Sequence, residues 1–186
     1  MAITREEALA LLKKHVKTDT LIGHALATEA IMRALAVKLG HDPDQWGIAG
    51  LLHDLDYDST KDDMEHHTLN AEPWLREAGC DEEMIGAIKA HNAEVLGLER
   101  TSPFDLALTA AETITGMVVA TTLVYPDKKI ASVKPKSVTK RMKELKFAAS
   151  VNRDHIRLCE KLGIPLPEFA ALSVEAMKGI AGDLGL

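Results

Sequence analysis

His53 and Asp54 stand side by side where the apolar stretch WGIAGLLHD ends, and four more aspartates, a glutamate and two more histidines follow before Thr68. An ionised aspartate at the end of an interior helix is costly unless it is paired or coordinated. Adjacent helical residues point about 100° apart, yet both can reach an ion lying off the helix end. Two readings are open: a polar C-terminal cap, or a histidine–carboxylate pair neutralised by a divalent cation.

Three further positions pose the same question. His24 shares a helix face with Ile31 and Leu35, so its imidazole is either a hydrogen-bonded core histidine or a ligand. His91 ends MIGAIKAH with Ala87 and Ile88 at inward spacings. Glu112 is the only charged residue after Asp105 in LALTAAETITGMVV, with no Lys or Arg close in sequence. A lone buried carboxylate must pair, protonate or bind a metal. His24, His53, Asp54, His91 and Glu112 thus sit on the predicted core faces of four helices, and one shared cation would account for all of them. The other histidines have local explanations. His15 lies in the last turn of the first helix, where the helix dipole accounts for it; His41 follows the Gly40 stop; His155, beside Asp154, is expected to be exposed.

The elements that must position these groups are helices. Thr4 and Glu7 have capping-box spacing ahead of ALALLKKHV. A second helix is predicted from about Thr20 to Leu39, stopped by Gly40, and a third from Pro43 behind an Asp42 cap. Asp81 opens EEMIGAIKAHNAEVL, and Ser102-Pro103 opens a long helix through FDLALTAAETITGMVVATTLV. Further helices are predicted in SVTKRMKELKFAAS, RDHIRLCEKLG and PEFAALSVEAMKGIAGDL. Pro73 implies either a helix that begins at about Asn70 or a kink. TGMVVATTLVY is the one serious strand candidate, and its continuity with the Ala-rich pattern favours helix. The expected class is all-α.

Composition agrees. Apolar residues make up 46% of the 186 and aromatics only 4%, so the core must be built from Leu, Ala, Ile, Val and Met. Cys80 and Cys159 form no CxxC pair and no disulfide framework, which suits a reduced cytoplasm. The N-terminal residues lack the features of a signal peptide, and no uninterrupted apolar run approaches a bilayer-spanning length, so no membrane partner is expected. Between Asp127 and Arg157 lie ten Lys or Arg against three acids, within a chain of net charge −6. That basic segment is either a solvated helix face or an attraction for an anionic substrate.

These residues, in this order, resemble the HD superfamily of metal-dependent phosphohydrolases: an early helical His, an HD dipeptide and a distant carboxylate, with further histidines in the two-metal branches. His24, His53-Asp54 and Glu112 match the basic set, and His67 and His91 the additional pair. WGIAGLLHDLDY, HTLNAEPWLREAG and YPDKKIASVKPKSVTKRMKELKFAASVNRDHI are similar to one bacterial and archaeal branch of predicted hydrolases, so the resemblance runs from about His24 to the C-terminus. His66 could take the place of His67; His67 keeps Leu75, Ala78 and Gly79 in the family's spacing without a gap. Glu112 stands where the family has Asp, which puts its carboxylate about 1.5 Å farther out.

The resemblance implies a single HD-type helical bundle over residues 1–186, with a metal-binding core over about 20–125 and a basic helical extension over about 126–186. It implies one metal held by His24, His53, Asp54 and Glu112, and a second held by Asp54, His67 and His91. Imidazole and carboxylate ligands suit Mn, Fe, Ni, Co, Zn or Mg. The implied reaction is hydrolysis of a phosphate ester by a metal-activated hydroxide. Asp54, Asp56 and Asp58 would be the catalytic carboxylates, the last two positioning water, protonating the leaving oxygen, or standing merely as solvated loop residues. Lys134, Lys136, Lys140 and Arg153 would supply charge to the substrate. With no glycine-rich phosphate loop and no aromatic stacking platform, nucleic acid is not expected, and a small phosphorylated metabolite or nucleotide is. Two alternatives have ligand types in common with this reading: a di-iron HD-type oxygenase, and a metal-binding regulatory module with weak catalysis. A homo-oligomer remains compatible with the sequence.

Overall fold

Side-chain caps start several of the helices that carry the site. The computed structural model describes residues 3–186, and none of them forms a strand. Helix α1 (Arg5–His15) begins at a Thr4–Glu7 capping box. α2 (Asp19–Leu39) ends at Gly40, whose φ of 78° is the left-handed conformation that glycine adopts freely. At α3 (Pro43–Leu52) the Asp42 carboxylate accepts from the Asp44 and Gln45 amides, and Pro43 occupies the first turn, where its missing N–H costs nothing. α4 (Tyr57–Thr60) is one turn; α5 (Glu72–Glu77) has Pro73 in its first turn, so no kink is needed. α6 (Glu82–His91) is capped by Asp81, and α7 (Ala93–Leu96) follows at once. α8 (Pro103–Leu123) opens with a Ser102–Asp105 capping box. Short helices follow as α9 (Pro135–Arg141), α10 (Arg153–Ile156) and α11 (Leu158–Lys161), then α12 (Leu166–Lys178) and α13 (Ala181–Leu184).

The β-branched run after Glu112 is helical because its hydroxyls find partners inside the helix. Thr113, Thr121 and Thr122 each donate to the carbonyl four residues back. That lets α8 be buried along most of its length, packed against α2, α3 and α6 and covered by α10, α11 and α12. Both α2 and α8 are long and apolar enough to cross a membrane by length and average composition, although neither is an uninterrupted apolar run. Charged residues interrupt both helices, with His24 besides in α2, and here their apolar faces form the core.

α2 and α3 approach each other closely at Gly50. A Cβ on Gly50 would stand 3.0 Å from the Thr28 carbonyl and from the Glu29 amide nitrogen. Nearby, buried Glu29 accepts from Arg5 at 2.6 and 2.9 Å and from Arg33 at 2.9 Å, tying α1 to α2. Gly50→Ala pushes backbone against backbone, so it should cost about 1–3 kcal/mol in chemical denaturation. It should also lower metal content, because Gly50 sets the spacing between His24 on α2 and His53 at the end of α3. Unchanged stability would mean that the helices part freely.

Three expectations need correction. SVTKRMKELKFAAS is not one helix: α9 stops at Arg141 and turns continue to Ser150. The reason is tertiary. The Arg153 guanidinium takes the carbonyls of Glu144, Phe147, Ala148 and Val151, and Ala148 adopts φ 45°. RDHIRLCEKLG is likewise two short helices, α10 and α11. His15, in the last turn of α1, is not explained by the helix dipole alone: it stacks on Trp74 at 3.8 Å between ring centroids, and burial, with Lys14 and Lys17 nearby, lowers its pKa.

Candidate metal centre

Five elements converge on one point. α2 supplies His24, the end of α3 supplies His53 and Asp54, the turns between α4 and α5 supply His67, α6 ends in His91, and α8 supplies Glu112. His24 Nε2 lies 3.1 Å from His53 Nε2, and His67 Nε2 lies 3.0 Å from His91 Nε2. Asp54 divides its carboxylate between the two pairs. Its Oδ2 is 3.4 Å from His53 and 3.7 Å from His24; its Oδ1 is 3.3 Å from His67 and 3.4 Å from His91. His24, His53 and Glu112 bring ligand atoms within 4.8 Å of one another, as do His53, Asp54 and His91.

The other ring nitrogens decide what the facing ones can do. His53 Nδ1 lies 2.8 Å from the Gly50 carbonyl and His91 Nδ1 2.5 Å from that of Ile88, so both must donate there. His67 Nδ1 donates to Asp56 at 2.8 Å. Thr115 gives its own proton to the Glu112 carbonyl at 2.6 Å, so its oxygen accepts from His24 Nδ1 at 2.8 Å. In every neutral ring the Nδ1 proton is thus committed, and all four Nε2 lone pairs point inward. Such Nδ1 anchoring is what metal-binding histidines have. Two lone pairs cannot hydrogen-bond each other, so each pair needs a proton or a cation between its Nε2 atoms. Ligands about 2.1 Å from one ion and at right angles stand about 3.0 Å apart, close to both imidazole pairs. The residues present fit divalent metal.

The electrostatics show the same demand. Burial drives His24 down to about 4 and also lowers His91. Burial opposes charge on His53 and His67 too, but Asp54 outweighs it at His53, and Asp54 with Asp56 lifts His67 to about 9. Burial opposes ionisation of Asp54, yet His53, His67 and His91 hold its pKa well below the usual range. Burial pushes Glu112 up to about 7.

Other expected site residues lie elsewhere. His66 is exposed and bonded to Asp63 at 2.8 Å, whereas His67 is buried in the cluster. Asp56 is a buried anchor: besides His67 it accepts from the amides of Thr68 at 3.2 Å and Ala71 at 2.9 Å. Asp58 holds the α1–α2 junction, accepting from the Lys17 and Thr18 amides and the Thr18 hydroxyl, and does not line the cavity. Lys134, Lys136 and Lys140 are exposed and outside the cavity wall, and Arg153 is spent on loop carbonyls.

The cavity over the cluster, about 400 Å³, holds one residue that sequence reasoning set aside. His155 lines it, with Nε2 2.9 Å from Glu94, and Glu94 is gripped by Arg100 at 2.6 and 2.8 Å. Those Arg100 hydrogen bonds outweigh burial and hold the Glu94 carboxyl down to about 2. Nothing in the local sequence marks His155, because its partner is far along the chain.

Comparison with known families finds a match to the HD domain over residues 21–119. Searches among curated proteins and solved structures return no match. The matched segment contains His24, His53, Asp54, His67, His91 and Glu112 and ends before α9, so the likeness of the basic C-terminal segment rests on its own residues. With the match spanning more than half of its length and encompassing every inward-facing ligand, the chain belongs to the HD-domain family, whose members are generally metal-dependent hydrolases.

Proposed function

We propose that the protein is a phosphohydrolase, a phosphomonoesterase or phosphodiesterase for a small phosphorylated metabolite or nucleotide. The observation that carries this reading is the division of the Asp54 carboxylate between two histidine pairs, an arrangement suited to two adjacent cations. His24, His53, Asp54 and Glu112 would hold one, and Asp54, His67 and His91 the other. Divalent ions held there supply an acidified water and positive charge for phosphoryl oxygens.

The chain's own groups do the rest. Asp56 and Thr115 fix the His67 and His24 rings, and Asn92 holds the His67 turn by donating to the Met64 carbonyl at 2.9 Å. His155, oriented by anionic Glu94 on the cavity wall, is placed to give a proton to the leaving oxygen. His155→Ala should therefore lower kcat on an alkyl phosphate about 10²-fold. On p-nitrophenyl phosphate, whose leaving group departs without a proton, the loss should be much smaller, and metal content should not change. Equal losses on both esters would remove the proton-donor role.

The test of the reading itself is elemental analysis of the purified protein beside a screen of phosphorylated small molecules. Hydrolysis lost to a chelator and restored by metal is expected. A metal-loaded protein that cleaves no phosphate ester in the screen would overturn it.

A further inference from the structure

A second and larger cavity, about 790 Å³, adjoins the metal centre, and His24 lines both. It is a cleft between α2 and α8. Gly23 and Ala27 line it from one helix, and Gly116 and Ala120 from the other, while Val151 and Leu184 come from later in the chain. The Val151 side is built rather than incidental: Arg153 holds that loop by four carbonyls, and Ala148, also on the wall, keeps its left-handed backbone there. Gly23 sits inside α2, where glycine is a poor helix former, yet a Cβ there would meet nothing within 4 Å. No packing among the described residues accounts for the missing side chain.

Among the described residues the wall carries no Lys or Arg side chain, and its charged side chains are Asp19 and Asp183. A second anionic group would be repelled, whereas an uncharged apolar body would gain by leaving water. We propose that this cleft receives the apolar, uncharged portion of a phosphate ester whose phosphate lies at the metal centre. The substrate class is thus a monophosphate on a hydrocarbon-rich body rather than a nucleoside polyphosphate. This inference rests on the phosphohydrolase reading above for the placement of the phosphate.

The experiment uses the metal-loaded protein and monoalkyl phosphates from ethyl to decyl. Burial of methylenes should raise affinity roughly fourfold for each one fully buried, so decyl phosphate should bind at least about tenfold tighter than ethyl phosphate in calorimetry. If the esters are turned over, kcat/KM should rise in parallel. Gly23→Leu, which gains helix propensity, and Ala120→Leu, one face along α8, each fill the cleft. Both should abolish the chain-length advantage while leaving ethyl phosphate binding and metal content unchanged. Length-dependent binding without turnover would sink the hydrolase reading and leave the cleft's role intact. Binding indifferent to chain length, or variants that weaken ethyl and decyl phosphate alike, would overturn the inference. So would leucine variants that split a dimer in sedimentation, since the cleft would then be an interface between copies.

Discussion

Asp54→Asn will leave a folded protein that has lost its metal and at least about 10³-fold of its hydrolytic rate, about 4 kcal/mol of barrier. The fold should survive because the polar partners of the Asp54 carboxylate among the described residues are the four imidazoles; its own carbonyl, which accepts from the Tyr57 amide, is kept by the substitution. The metal should not survive, because Asp54 is the one group facing both histidine pairs. Without its charge, the Nε2 atoms of His67 and His91 lose their facing carboxylate, and His24 and His53 keep Glu112, which burial pushes up to about 7. Asp56→Asn is the informative contrast. Asp56 accepts two backbone amides and a histidine N–H, so that change should show first as lost stability. Full retention of metal by Asp54→Asn, checked by elemental analysis, would mean that the bound metal does not depend on this carboxylate, and would overturn its placement between the two histidine pairs.

How far these groups could be read from sequence depended on how local their partners are. Caps were legible because donor and acceptor lie within a turn: Thr4 with Glu7, Asp42 ahead of Pro43, Ser102 ahead of Pro103. His24 and Glu112 were legible as anomalies, polar groups on faces that had to be buried. The structure brings both to His53, so the longer Glu112 side chain reaches the centre.

Illegible were the groups whose partners lie far along the chain. His155 pairs with Glu94 and His24 with Thr115, and neither spacing has a local signature. Asp56 and Asp58 stood in the right stretch, but two residues of separation sent one to His67 and the other to the α1–α2 junction. Arg153 misled for a related reason. Its charge suggested substrate, yet four nearby carbonyls freed by the end of α9 claim it, and the same contacts break the helix that the periodicity predicts.

Removing the metal should lower the melting temperature by roughly 10 °C. An ion present at a thousand times its Kd contributes about 4 kcal/mol, and a chain of this size shifts roughly 2–4 °C per kcal/mol. The effect should be global because the ligands come from α2, α3, α6 and α8, so the ion ties together helices that otherwise meet through side-chain packing. Calorimetric scans with and without chelator measure it, and Asp54→Asn is the control in which the chelator should change nothing. The gap should narrow on acidification, since protons compete with the ion for the same Nε2 atoms. Identical scans for the metal-loaded and stripped wild-type protein would show that these helices hold the histidines in place without help from an ion.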